Sequence, residues 1–363
     1  MAKKIILVAA ARPNFMKIAP LWRELSARGA EFDPVIVHTG QHYDYNMSEV
    51  FFADLGLPPP HVHLGVGSGT HAEQTAGVIV AFESICLKLE PACVVVVGDV
   101  NASMAAAVTA KKLGLAVAHV EAGLRSGDRT MPEELNRILT DSIADVLLTP
   151  SPDADENLRR EGVEQRRIVL VGNIMIDSLV HALARVRDRA AHRRFDCAPR
   201  EYGLVTLHRP ANVDDPEHLR ALLAGLQGLA YPLIFPVHPR TRKVMGQCGL
   251  DGLTASNGPL HLCEPLGYDD FLNLTLHARF VITDSGGIQE ETTYLGIPCL
   301  TMRPNTERPI TITAGTNELV DLAAMPARVR VILEGGWKRG TVPALWDGRT
   351  AERIAAVLTD RYA

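Results

Sequence analysis

The 363-residue chain has few of the features that mark membrane, secreted or nucleic-acid-binding proteins. Its six cysteines are scattered without a C-x-x-C pair, which predicts reduced thiols in the cytoplasm and no structural metal. No apolar run is long enough to span a bilayer, and the first residues lack a signal-peptide pattern. The net charge of −5 offers no general attraction to nucleic acid or to a membrane. We therefore expect a cytoplasmic protein that holds any anionic ligand with local groups.

The sequence also lacks a convincing dinucleotide-binding loop. The glycine-rich segment Gly65-Val66-Gly67-Ser68-Gly69 follows no convincing strand, and no acid at the right distance closes a second strand. We interpret this segment as a flexible connection and expect no nicotinamide cofactor.

Short apolar runs alternate with helical segments along most of the chain, which predicts parallel, doubly wound sheets. In the first half, strands are expected over residues 5–11, 34–39, 94–97, 116–118, 145–149 and 168–171. In the second half, they are expected over residues 203–207, 233–237, 280–283 and 299–302.

These elements predict two Rossmann-like domains, over residues 1–175 and 200–350. A helix that becomes highly charged toward Arg194, followed by a linker, is expected to join them over residues 176–199. The last helix, over residues 351–363, is expected to pack back on the first domain. Two such domains facing a central cleft would bring their strand-end loops to one ligand site.

Three carboxylates in the first half are placed for acid/base chemistry. Asp99 follows the apolar run 94–97, and Glu121 follows the strand that begins at Ala116. Glu133 comes directly after Pro132, in what we predict to be the first turn of a helix. Because strand ends and helix starts of an open α/β sheet border the same crevice, we expect these acids to share a site.

Two segments are typical of phosphate binding. Arg12 and Lys17 flank a predicted helix start at the end of the first strand, where unpaired backbone N–H groups favour an anion. Ser285-Gly286-Gly287 enters a helix after the strand 280–283, so that backbone N–H groups can approach a diphosphate. Glu291, one turn further, is placed to accept hydrogen bonds from ribose hydroxyls.

The order of these motifs along the chain resembles that of the non-hydrolysing UDP-N-acetylglucosamine 2-epimerases, from about residue 5 to residue 320. The matching motifs are Arg12-Pro13 with Lys17, Gly98-Asp99, His119–Arg125, Pro132–Arg137, His208-Arg209, Asp284–Glu291 and Thr306–Pro309. The resemblance implies two Rossmann-like domains in a glycosyltransferase-B-like arrangement, a homodimer, and interconversion of UDP-GlcNAc and UDP-ManNAc without a cofactor. The implied route is elimination of UDP to a 2-acetamidoglucal, followed by re-addition.

Carried over residue by residue, the resemblance assigns catalytic roles to Asp99, Glu121, Glu133 and His208. It assigns substrate binding to Arg12, Lys17, Arg137, Phe271, Ser285, Gly286, Gly287, Glu291 and Arg308, with Phe271 near uracil. It places Gln41, His42, Gln74 and His238 where some bacterial members bind a second, regulatory UDP-GlcNAc.

Departures from the family pattern lie in loops near the sugar, and Ile310 stands where an acid is usual. The sugar therefore stays open, and a 2-epimerase of UDP-2,3-diacetamido-2,3-dideoxy-glucuronate is an alternative. A glycosyltransferase-B-type UDP-sugar transferase, a hydrolysing epimerase and a non-catalytic nucleotide-sugar-binding regulator are further alternatives. Formation of an epimer without an acceptor, and analysis of the products, would distinguish these possibilities.

Overall fold

The computed structural model describes residues 2–10, 12–40, 52, 55–250 and 258–362. The chain divides into two compact units. The first unit contains Met1–Ser178 and Ala344–Ala363, and the second contains Leu179–Pro343. Each unit is built on one parallel sheet, which confirms the predicted fold class of two doubly wound α/β units.

The described residues of the first unit form a seven-stranded sheet in the order β3-β2-β1-β4-β5-β6-β7, and all neighbouring strands are parallel. The strands are β1 Lys3–Ala9, β2 Phe32–His38, β3 Val62–His63, β4 Cys93–Val97, β5 Ala116–Val120, β6 Val146–Thr149 and β7 Ile168–Leu170. The strand order reverses between β1 and β4. Loops at the carboxyl ends of these two strands therefore flank the switch point, where open α/β sheets bind ligands.

The helices that begin in the first unit are α1 Arg12–Ala27, α2 His71–Leu89, α3 Asn101–Lys112, α4 Pro132–Ile143, α5 Pro152–Arg160 and α6 Ile174–Val186. Helix α3 is rich in alanine, and the side chains of Ala105, Ala106 and Ala110 are fully buried. Because these side chains are small, the helix lies close to the sheet. Helix α1 begins at Arg12, in the segment where a helix start was predicted, and continues through Pro20.

The second unit contains a sheet of six described strands in the order β10-β9-β8-β11-β12-β13, again all parallel. The strands are β8 Gly203–Thr206, β9 Leu233–Pro236, β10 Leu260–Cys263, β11 Phe280–Thr283, β12 Cys299–Thr301 and β13 Asn317–Leu319. The helices are α7 Pro210–Val213, α8 Pro216–Gln227, α9 Pro239–Gln247, α10 Tyr268–His277, α11 Gly286–Leu295, α12 Ile310–Thr313 and α13 Met325–Leu333.

The predicted helix through Arg194 is wrong at its C-terminal end. Helix α6 stops at Val186, and a short 3-10 helix covers Ala191–Phe195. The cause is the buried Asn273, which donates from Nδ2 to the carbonyls of Val186 and Arg189 at 2.8 and 2.9 Å. Its Oδ1 accepts from the amide of Ala191 at 3.0 Å. The side chain thus satisfies backbone groups at the end of the helix and turns the chain.

The last helix, α14 (Thr350–Tyr362), belongs to the first unit and packs against α1. Its first amides, those of Thr350 and Ala351, donate to the carboxylate of Asp177 at 3.1 and 2.7 Å. Just before it, the indole of Trp346 is buried and donates to the carbonyl of Pro150 at 3.0 Å. These bonds fix the start of α14 on the first unit.

Among the described residues, no helix combines the length and the apolar character needed to cross a bilayer.

Candidate active site

In the first unit, the turns after β4 and β5 bring together a lysine and a glutamate. Lys17 of α1 forms a buried ion pair with Oε2 of Glu121. A Cβ atom added to Gly98 would lie 3.2 Å from Lys17 Nζ and 3.3 Å from Glu121 Oε2. Glycine at position 98 therefore lets the ion pair lie against the backbone of the β4 turn.

Glu121 combines burial with a strained backbone. Its φ is +69°, in the left-handed region that residues with a Cβ atom rarely adopt. The residue is 4% exposed, and within the described part of the structure its Oε1 atom has no hydrogen-bond partner. Such strain and an unused buried acceptor are found together at functional sites.

The carboxylate of Asp99 is held by Arg137 of α4. Both Nε and Nη2 of Arg137 donate to Asp99 Oδ2, at 3.1 and 2.7 Å. The arginine side chain is 3% exposed, whereas the aspartate side chain is 30% exposed. The cation is therefore buried behind an acid that solvent and small molecules can reach.

Glu133 and Glu134 have different environments at the start of α4. Glu133 is exposed, whereas Glu134 is buried and ion-paired with Arg137. Glu134 also accepts from the backbone amides of Ser126 and Gly127, at 3.0 and 2.9 Å. The buried acid thus fixes the loop before α4, a function that the sequence interpretation did not assign to it. The sequence did contain a signal for the pairing of Glu134 with Arg137, because residues three apart on a helix lie on the same face.

Two asparagines link Asp99 to Gln74, one of the residues predicted for a regulatory site. Asn136 donates from Nδ2 to the carbonyl of Asp99 at 2.9 Å and to Oδ1 of Asn101 at 3.0 Å. Asn101 donates to Oε1 of Gln74 at 3.0 Å. The N-terminal turn of α2 and the Asp99 turn are therefore joined by side-chain hydrogen bonds.

Other predicted residues of the first half are not placed by the structure. Gln41 and His42 lie outside the described residues. Arg12 is the first residue of α1, and its side chain is likewise outside the described part of the chain.

In the second unit, His208 and Asp284 form a pair at the carboxyl ends of β8 and β11. His208 Nδ1 lies 3.0 Å from Asp284 Oδ1. Burial by itself would raise the pKa of Asp284, but the hydrogen bond and charge of His208, together with Asn212 and the Arg209 amide, lower it below its ordinary value. The histidine is thus oriented by a buried acid, and its ring lies 5.3 Å from that of His238 between centroids.

The start of α11 has the features of an anion site. Ser285 occupies the N-cap position with extended backbone, and its side chain makes no capping hydrogen bond. A Cβ atom added to Gly286 would lie 2.6 Å from Arg308 Nη1. Arg308 is buried and forms ion pairs with Glu290 at 2.6 Å and with Glu307. An uncapped helix N-terminus beside a fixed guanidinium favours a phosphate.

Glu291 lies one turn into α11 and is almost fully buried. The hydroxyl of Tyr268 donates to its Oε1 at 3.0 Å, and Oε2 has no hydrogen-bond partner in the described structure. Burial, with a smaller contribution from Glu290, raises the pKa of Glu291 to about 7. Phe271, on the same helix as Tyr268, is half-buried against the apolar cluster of the second unit.

Residues 23–359 match the family model described as UDP-N-acetylglucosamine 2-epimerase. The UDP-N-acetylglucosamine 2-epimerase of Methanocaldococcus jannaschii is 40% identical over 98% of this chain and 99% of its own length. The chain belongs to this family.

A solved structure and a second relative are also similar to this chain. A crystal structure of the M. jannaschii UDP-GlcNAc 2-epimerase in complex with UDP-GlcNAc and UDP covers 98% of this chain and 99% of that protein, with a TM-score of 0.88 and 40% identity. The UDP-2,3-diacetamido-2,3-dideoxy-D-glucuronate 2-epimerase of Pseudomonas aeruginosa is 39% identical over 88% of this chain and 89% of that protein. The predicted 2-epimerase family and glycosyltransferase-B-like fold class are thereby confirmed.

In this 2-epimerase chain, three further residues support the site residues that the motifs predicted. His119 and Asp141 form a fully buried pair beneath the β4 and β5 turns, at 2.6 Å. Tyr268 is the hydroxyl donor to Glu291. His119 lay inside a quoted motif, but no sequence spacing predicts its partner 22 residues away.

Proposed function

We propose that the protein is a UDP-sugar 2-epimerase that interconverts UDP-GlcNAc and UDP-ManNAc. The observation that carries the proposal is the pair of acid–base groups at one sheet edge of the first unit, Asp99 with Arg137 and Glu121 with Lys17. In a chain of this family, two carboxylates fixed by cations at strand ends fit proton transfer at a sugar carbon.

The chemistry explains why more than one acid is needed. C2 of an N-acetyl sugar has no adjacent carbonyl that would acidify its hydrogen. Breaking the C1–O bond to UDP builds positive charge at C1 and makes the C2 proton removable. Re-addition of UDP to the glucal then requires protonation at C2 from the opposite face. Inversion therefore uses a base on one face and an acid on the other.

We assign the C2 acid/base roles to Asp99 and Glu121. Glu121 has a buried oxygen with no hydrogen-bond partner in the described structure, and Asp99 is the more exposed of the two. Arg137 and Lys17 hold them in place and supply positive charge. Glu133, exposed at the start of α4, is proposed to assist them.

The second unit is proposed to hold UDP. The uncapped N-terminus of α11, with Ser285, Gly286 and Gly287, would receive the diphosphate, and Arg308 would add charge. As the C1–O bond breaks, negative charge grows on the departing diphosphate, and these donors stabilise it most at that point.

His208, Glu291 and Phe271 complete the proposed UDP site. His208, oriented through Nδ1 by Asp284, presents its other ring nitrogen for a hydrogen bond to a phosphate oxygen. Glu291 would accept from the ribose hydroxyls, and Phe271 would contact the uracil.

The P. aeruginosa relative favours a second candidate substrate. Its identity to this chain is 39%, against 40% for the M. jannaschii enzyme, so the chain is nearly as similar to a 2-epimerase named for a different sugar. UDP-2,3-diacetamido-2,3-dideoxy-glucuronate carries the same hydrogen at C2 and would follow the same elimination.

The decisive experiment incubates the purified protein with each nucleotide sugar in D2O, without an acceptor, and follows C2 by proton NMR. We expect inversion with deuterium incorporated at C2, and slow release of UDP and glucal during long incubation. Inversion without deuterium would exclude the elimination route, and no inversion of either sugar would exclude the proposed function.

Two substitutions test the assigned acids. Asp99→Asn and Glu121→Gln should each slow C2 exchange by 10²-fold or more, on the order of a lost general acid or base. Binding of UDP should be retained. Asp145→Asn is a matched control. Asp145 is paired with Lys111 at 2.8 Å at the amino-terminal ends of the strands, whereas Asp99 and Glu121 lie at the carboxyl ends. Full turnover by Asp99→Asn would remove Asp99 from the mechanism.

The homodimer implied by the resemblance is part of the proposal. Val80 and Leu87 of α2 are 72% and 63% exposed, and Leu135 and Leu139 of α4 are 47% and 49% exposed. Both helices pack on α3, and the spacings of seven and four residues place each pair on one helix face. Exposed apolar side chains grouped in this way favour an interface with a second copy.

Light scattering after size exclusion tests the interface. The double substitution Val80→Asp with Leu87→Asp should convert the dimer to monomers, because it buries two charges at the proposed contact. Val342→Asp, at an exposed apolar residue of the second unit, is the matched control and should stay dimeric. A monomeric unsubstituted protein would contradict the dimer.

A cytoplasmic location is proposed on the state of the cysteines. All six are free thiols, and burial raises the pKa of Cys93 to about 12 and that of Cys299 to about 11. Such thiols resist oxidation and fit a reducing compartment.

A further inference from the structure

One buried histidine is hydrogen-bonded to the turn that carries Asp99 and is linked through Asp141 to the turn that carries Glu121. The turn after β4 contains Gly98, with φ +65°, and the turn after β5 contains Glu121 and Gly123, with φ +69° and +80°. Of these three residues Glu121 is the one with a Cβ atom, so its left-handed backbone has to be held by the surrounding structure. His119, the fourth residue of β5, lies beneath both turns and is fully buried.

Each ring nitrogen of His119 faces an oxygen. Nε2 lies 3.0 Å from the carbonyl oxygen of Gly98, which can only accept, so Nε2 must carry a hydrogen. Nδ1 lies 2.6 Å from Oδ1 of Asp141. Oδ2 of Asp141 accepts from the amide of Gly123 at 3.0 Å and forms an ion pair with Arg125 at 2.8 Å. These donors favour an ionised Asp141, and Nδ1 must then carry a hydrogen as well.

The balance of effects on Asp141 agrees with this arrangement. Burial by itself would raise the pKa of Asp141, but the charge and hydrogen bond of His119, together with Arg125 and the Gly123 amide, lower it below its ordinary value. Arg125 is in turn paired with Glu161 at 2.7 Å, so the charges alternate along the chain of contacts.

We propose that His119 is held as an imidazolium and acts as a positioning residue for Asp99 and Glu121. It holds the Gly98 turn directly, through the carbonyl, and the Gly123 turn indirectly, through Asp141. The catalytic part of this inference rests on the proposed epimerase function, whereas the protonation state of His119 does not.

The other charged groups around these turns are already paired with one another. Lys17 of α1 is paired with Glu121, and Arg137 of α4 is paired with Asp99. Asp141 is the acid that contacts the His119 ring directly. Removing its negative charge should therefore change the protonation of the ring.

The first test is spectroscopic and requires no turnover. In protein labelled with 15N-histidine, two-bond 1H–15N spectra at neutral pH should show one imidazole with both nitrogens protonated. The signal is assigned by its absence from His119→Gln. Asp141→Asn should convert the same ring to a neutral form, because an asparagine amide can donate to Nδ1. A neutral ring in the unsubstituted protein would overturn the proposal.

The second test is kinetic and uses two pairs of variants. Glutamine at position 119 cannot donate in both directions, so His119→Gln should lower kcat by about 10²-fold with little change in KM. Asp141→Ala should behave alike, whereas Asp141→Asn keeps the hydrogen bonds and should lose much less. Misplaced acids should also release more glucal and UDP per epimer formed, a ratio that a partly unfolded sample does not alter.

The control is His192→Gln, which removes a buried histidine of the second unit and should leave kcat unchanged. If His119→Gln does not fold, the Asp141→Asn and Asp141→Ala pair still decides the matter, and equal kcat in both would overturn the positioning role. If the unsubstituted protein has no epimerase activity, the proposed function is wrong. The NMR result would still decide the protonation state of His119.

Discussion

Glu291 shows how a single carboxyl group can couple nucleotide binding to pH. It is 2% exposed, lies beside Glu290 and has Tyr268 as its one hydroxyl donor in the described structure. With a pKa raised to about 7 by burial, the group is largely protonated below neutral pH and ionised above it. The ionised form accepts at both oxygens, whereas the protonated form has an O–H donor on one of them and is a weaker acceptor for two ribose hydroxyls.

We predict that UDP-GlcNAc binds more tightly as the pH rises from 6 to 8, with release of a proton near pH 6.5. Calorimetry in two buffers of different ionisation enthalpy measures that proton, and UDP-GlcNAc has no group of its own that titrates in this range. Glu291→Gln should bind more weakly and independently of pH. Proton uptake, or no linkage in the unsubstituted protein, would show that Glu291 does not receive the ribose as a carboxylate.

For single residues, the sequence predicted which side chains lie at the site better than it predicted the side chains with which they are paired. Asp99 and Glu121 could be found because each follows an apolar strand, and strand ends are where such sheets place chemistry. That Lys17 is paired with Glu121, 104 residues away, depends on how α1 packs beside β4 and could not be read from spacing. For Glu134, the three-residue spacing to Arg137 was visible in the sequence, but its burial was not, because that depends on how the preceding loop folds.

The turn after β5 packs tightly against the neighbouring helix α5. A Cβ atom added to Gly123 would lie 2.4 Å from the carbonyl oxygen of Ala154 in α5, and the backbone there has φ +80°. The turn cannot move away from α5 without disturbing the hydrogen bond from the Gly123 amide to Asp141.

We predict that Gly123→Ala lowers the free energy of unfolding by roughly 3 kcal/mol or more, since overpacking adds to left-handed strain. Gly127→Ala is the matched control. Gly127 has φ +75°, but a Cβ atom there would meet nothing within 4 Å. Its cost should be about 1 kcal/mol, from backbone strain alone. Chemical denaturation measures both, and equal costs would show that the contact with α5 relaxes freely.

Ten of the thirteen described strands were predicted from the sequence, whereas β3, β10 and β13 were not. The apolar run Val94–Val97 predicted β4, and Pro132 with two acids predicted the start of α4. Strands β3 and β13 have two and three residues, too few for a pattern to emerge. The end of α6 was missed because a side chain from α10, Asn273, stops it.

Across the whole molecule, the first unit is completed by residues from the end of the chain. Trp346, Ile354 and Leu358 are buried there, and α14 packs on α1. We predict that deleting residues 344–363 destabilises the first unit by on the order of 5 kcal/mol, since each large apolar side chain contributes about 1.5–3 kcal/mol.

Hydrogen exchange followed by mass spectrometry distinguishes the two units. Amides of β1 and α1 should lose protection in the shortened protein, whereas amides of β8 and β11 should keep it. Equal loss in both units would show that they unfold as one cooperative body.

The return of the chain to its first unit also orders events during synthesis on the ribosome. The seven-stranded sheet is translated by residue 170, but α14 emerges only after the 165 residues of the second unit. Until α14 is synthesised, the first unit is incomplete, and the surface of α1 that α14 will cover is exposed to water. The second unit, continuous in sequence, is free to fold in that interval, and the final helix closes the older unit last.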